Sequence, residues 1–234
     1  MDESFIASKV FECLAAVPGA KEQLDALVAS EANFEFVSLC LARLERPEAR
    51  FYLLQTIGKV ISARPSSEGT VGSIRGRSNQ VGEAGRVEGS SLAYRALGLL
   101  TEFVQKFNGT APAFLINAAC DSFGSIFKTL LMSKGSMRPV FALLAPFSPS
   151  EPSPQDLHSL LKFLHYTLSN LTHTTSQGYF EYRKLLTRFE NEGLPFCLEA
   201  VRVGVKRAAD SPVRVDLIVL ALEVLLQLLT FPFG

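Results

Sequence analysis

The residues that could do chemistry are few and lie far apart. Three histidines are present, His158, His165 and His173. His158 and His165 are seven residues apart, two turns along one helix face, whereas a helical zinc pair uses a spacing of about four. Lys162 shares their stripe and would repel a cation. His173 sits in a Thr-rich turn without a carboxylate or cysteine beside it. The four cysteines, Cys13, Cys40, Cys120 and Cys197, are scattered through apolar stretches with no CxxC spacing. They are expected to be reduced, buried thiols.

Nucleophile and phosphate motifs are also missing. There is no GxSxG, and Gly72-Ser73-Ile74-Arg75-Gly76 places its serine one position early. No GxxxxGK[ST] or GxGxxG run occurs. Glu181, Glu190 and Glu192 are interleaved with Arg183, Lys184 and Arg188, the pattern of helix-surface pairing. Arg202, Lys206 and Arg207 lie near the end of a helix, where they complement its dipole; the alternative is a small patch for an acidic partner. No catalytic, cofactor-binding or metal-binding residue is nominated, no cofactor is implied, and the chain is expected not to be an enzyme.

The elements that would carry these residues are helical. Of 234 residues, 47% are hydrophobic and 20% charged, which suits a packed core. Formal net charge is zero, so no global basic excess points to nucleic acid or an anionic membrane. The opening residues carry acids where a signal peptide carries bases. The two glycosylation sequons, at Asn108 and Asn170, are therefore expected to be chance matches.

Apolar residues recur at helical spacing along most of the chain. The predicted helices cover 4–16, 20–30, a segment opened by Asn33, 48–64, 90–108, 112–134, 137–144, 155–171, 179–191, 196–209 and a last one after Pro212. Asn33 is the predicted N-cap of the third, with Phe36, Leu39, Cys40 and Leu44 inward. Tyr52, Gln55, Lys59 and Ser62 form one polar stripe, and His158, Lys162, His165 and Ser169 another; both are expected to face water. Gly124, inside a helix, predicts close packing on a neighbour.

Residues 65–89, rich in Gly, Ser and Arg, interrupt the pattern and form a flexible insertion or linker. The organisation is thus 1–64, N-terminal helical hairpins; 65–89, the insertion; and 90–234, a helical-repeat segment expected to continue beyond the C-terminus. Antiparallel hairpins of about 40 residues predict an all-α fold stacked as a HEAT- or armadillo-like α-solenoid.

The most apolar run is 213–233. Its length suggests a bilayer span, but Asp216 and Glu223 would each cost roughly 2.5–3.5 kcal/mol near the centre on insertion scales. No membrane span is expected. The run predicts a helix buried on most sides, with Asp216, Glu223, Gln227 and Thr230 along one polar edge.

Two runs resemble the karyopherin-β superfamily of HEAT-repeat importins and exportins. In residues 44–57 a polar turn, Glu45-Arg46-Pro47, leads into a helix that continues Arg50-Phe51 and then apolar residues. Residues 222–233 are similar to a helix end followed by an aromatic corner, Phe231-Pro232-Phe233, in larger exportins. The resemblance implies a nuclear transport receptor segment, cytoplasmic or nuclear, whose partners are cargo and the GTP-bound GTPase Ran. Matched only in helix-and-turn pattern, it carries no binding residue over. The alternatives are a helical-repeat adaptor in cytoskeletal regulation or vesicle tethering, and an enzyme on a helical fold.

Overall fold

A computed structural model describes residues 21–63, 88–132, 138–147, 152–172, 179–209 and 215–231. The predicted helix at 4–16, Cys13 and most of the 65–89 insertion lie outside them, as do His173 and Phe233.

Ten α-helices are described: α1 (Lys21–Ala29), α2 (Phe34–Arg43), α3 (Pro47–Ser62), α4 (Glu88–Phe107), α5 (Ala113–Met132), α6 (Arg138–Leu144), α7 (Pro154–Thr172), α8 (Tyr179–Glu192), α9 (Leu194–Ala209) and α10 (Val215–Thr230). No strand occurs among the described residues, so the all-α expectation holds there. Local chemistry fixes several ends. Pro47 opens α3, where its missing N–H is no loss. The Ser153 hydroxyl oxygen accepts the Asp156 backbone N–H at 3.1 Å and caps α7, with Pro154 next in the first turn. Beyond α4, Gly109 adopts φ +82°, the left-handed conformation that favours glycine.

The helices pack in an alternating order. α1 lies against α3, α3 against α5, α5 against α7, and α7 against α10. On the other side α2 packs on α4 and α4 on α6, while α9 packs on α7, α8 and α10. Between them runs a chain of rings. Phe147 meets Phe163 at 5.4 Å, Phe163 meets Phe123 at 4.9 Å, and Phe127, Phe141 and Phe196 continue it at 5.8 and 4.9 Å. Offset and edge-on rings at these separations add to the burial of their area.

The row is tightest where side chains are smallest. A Cβ on Gly124 would stand 2.8 Å from the Tyr166 carbonyl oxygen in α7, which is the close packing predicted for this glycine. Between α3 and α5, Gly58 does the same: a Cβ there would lie 2.6 Å from Ser122 Oγ. That hydroxyl is buried and donates to the Leu54 carbonyl at 2.8 Å, as a buried polar group must.

Two predicted faces are corrected. In α2 the buried residues are Phe34, Val37, Cys40 and Leu41; Cys40, and Leu44 just beyond the helix, are buried as expected, but Leu39 is exposed and Phe36 half-buried. Asn33 precedes a helix whose start its side chain does not cap. In α10 the helix is not buried on most sides. Leu217, Leu220, Ala221, Val224 and Leu228 face the core, but Val215, Ile218, Val219, Leu222, Leu226 and Leu229 are exposed.

Candidate interaction face

The row α1–α3–α5–α7–α10 carries polar side chains that cross from each helix to the next. Lys59 on α3 stands 3.9 Å from Asp25 on α1. Thr129 on α5 donates to the Ser62 carbonyl of α3 at 3.0 Å. Lys162 on α7 donates to Asn117 Oδ1 on α5 at 3.0 Å. Asn170, two turns further along α7, donates to Asp121 Oδ1 at 3.0 Å and accepts from Ser125 Oγ at 3.1 Å. At the last step His158 Nε2 lies 3.9 Å from Asp216 Oδ2, and His165 Nδ1 lies 3.7 Å from Glu223 Oε2.

Each helix supplies these groups because its apolar residues occupy the opposite side. On α7, Leu157, Leu160, Leu161, Leu164, Leu168 and Leu171 are all buried. His158, Lys162, His165 and Ser169 are consequently left on the rim, half-buried rather than fully solvated, because α10 covers one flank. On α3, Gln55 and Lys59 are exposed while Tyr52 and Ser62 are half-buried. Neither stripe lies in the core. Partly exposed ion pairs of this kind contribute from zero to about 1 kcal/mol, so apolar burial holds the row and the polar links set its register.

Neither histidine approaches its carboxylate within hydrogen-bonding distance, and both meet acids of α10. Cys40, Cys120 and Cys197 are buried and form no disulfide. Burial pushes Cys40 and Cys197 up to about 12. It raises Cys120 further still, outweighing the lowering by Lys162. Thiols so placed carry no thiolate near neutrality and are inert. Among the described residues no group of three His, Cys, Asp or Glu could hold a metal. No described helix is long and apolar enough to cross a membrane.

Arg50, Phe51 and Phe231 are occupied with packing. The Arg50 guanidinium lies 4.6 Å from the centre of the Phe107 ring, and burial lowers its pKa. Phe51 meets Phe114 edge-on at 5.7 Å. Phe231 is buried, 6.4 Å from Phe189. Near the end of α9, Arg202 is held by Glu199 at 2.6 Å across one turn.

Sequence reasoning missed the pairing of α7 with α10. The signal was there: His158 and His165 are seven residues apart, and so are Asp216 and Glu223. Equal spacing on two helices is what side-by-side pairing requires. Compared with known proteins, the chain matches no family model, no curated protein and no solved structure.

Proposed function

We propose that this chain is a non-catalytic protein-binding scaffold, its helical hairpins stacked as a HEAT- or armadillo-like α-solenoid. The observation that carries this reading is the order of packing. Odd-numbered helices from α1 to α7 adjoin one another, and α2, α4 and α6 do so on the other side, as stacked hairpins would. Such a row offers one long face on which Gln55, Lys59, Asp121 and Phe114 are exposed, a distributed surface suited to a protein partner.

The specific form is a nuclear transport receptor segment that binds cargo and Ran-GTP. It is supported by the resemblance of residues 44–57 and 222–233. Pull-down with GTP-loaded and GDP-loaded Ran tests it. Capture of the GTP form alone is expected, weakened by the double charge reversal Lys59→Glu and Asp121→Lys, which also breaks the links to Asp25 and Asn170 and should lower the melting temperature by only a few degrees. Equal capture of both forms, or of neither, overturns the transport reading and turns attention to the adaptor alternative.

A further inference from the structure

We propose that α10 pairs with α10 of a second copy of this chain, forming a parallel two-fold dimer. Val215, Val219, Leu222, Leu226 and Leu229 follow one another at intervals of four, three, four and three. That is a heptad seam with Val219 and Leu226 at a, and Val215, Leu222 and Leu229 at d. The core-facing residues of α10 occupy the other side of the helix, so the seam points away from the described core. Relative exposures of 63% at Val215, 64% at Leu226 and 73% at Leu229 show that nothing among the described residues covers it.

The area is enough for an interface. With Ile218 the exposed apolar side chains of α10 present roughly 600 Å², the upper end for the largest patch on a monomer. Two such faces bury about 1,200 Å², the lower bound for a specific complex. Leu198 and Val205, exposed on the adjoining α9, extend it.

Charge selects the orientation. One edge of the seam is acidic, with Asp216 and Glu223 beside α7. The other edge adjoins α9, since a Cβ on Gly204 would lie 3.9 Å from Ala221 of α10. Arg202 and Lys206 are exposed on that helix, Arg202 bonded to Glu199, so these three residues carry one net positive charge. In a parallel two-fold pair the acidic edge of one copy meets the basic edge of the other. In an antiparallel pair acid meets acid, which costs affinity.

Sedimentation equilibrium of the full chain tests the pairing. A reversible dimer is expected, and the double substitution Leu222→Asp and Leu226→Asp should raise its Kd by about a hundredfold or more. Both positions are exposed, so helix content should be unchanged, which circular dichroism checks. A chain that stays monomeric through the micromolar range overturns the proposal, as does a dimer indifferent to the double substitution. A monomer that instead takes a foreign amphipathic helix on this seam overturns it too. Orientation is tested by Val215→Cys and Leu229→Cys, each in a Cys13→Ser background. A parallel pair forms an intermolecular disulfide at both ends; cross-linking at neither end overturns the parallel arrangement.

Discussion

α7 and α10 are neighbours in the same row, rich in leucine, yet they meet water oppositely. α7 has one apolar side, all of it buried, and one polar stripe, half-covered. α10 has two apolar sides, of which the fold uses only one. A helix with one polar face tells its neighbours where to pack. A helix that is apolar nearly all round asks for cover on every side. The difference locates the stability of this protein in the ring-filled centre and its unused binding capacity on α10.

The comparison breaks first at the centre. Phe163 is fully buried between Phe123 and Phe147. Phe163→Ala should cost about 3–5 kcal/mol, the range for aromatic deletions in a packed core, measured by urea denaturation. A loss under about 1 kcal/mol would mean the centre is loosely packed. At the seam between the two helices the effect should be far smaller. A double-mutant cycle on His165→Ala and Glu223→Ala should give a coupling below about 1 kcal/mol, because both partners are partly solvated. A larger value would make the histidine pairs structural anchors of α10.

The legibility of the sequence follows the same division. On α7 the polar stripe read from the sequence, His158 to Ser169, does lie opposite the buried leucines from Leu157 to Leu171. That regular stripe fixed the phase of the helix. In α2 the run from Phe34 to Leu41 is apolar at six of eight positions. The period could not say which face turned inward, and the choice of Phe36 and Leu39 was displaced by one position. In α10 the same ambiguity led to a helix predicted as buried on most sides. The Ser153 cap was not read from the sequence, which began this helix at 155, although a serine before proline with an acid three residues on is a start signal. The glycine contacts were half visible: Gly124 stood out inside a leucine-rich helix, whereas Gly58 gave no signal. Contacts between helices distant in sequence, such as His165 with Glu223, are set by tertiary packing and show in sequence only as matching intervals.

The central claim is that α7 spends its leucines on the core while α10 holds a leucine face in reserve. Leu164 on α7 and Leu222 on α10 are the same residue type in adjacent helices, one 2% and the other 54% exposed. Chemical denaturation of Leu164→Ala and Leu222→Ala, at a concentration where the chain is monomeric, tests the claim directly. The account predicts a loss of about 2–5 kcal/mol for Leu164→Ala and within about 0.5 kcal/mol of no change for Leu222→Ala. Equal losses at the two positions would contradict it.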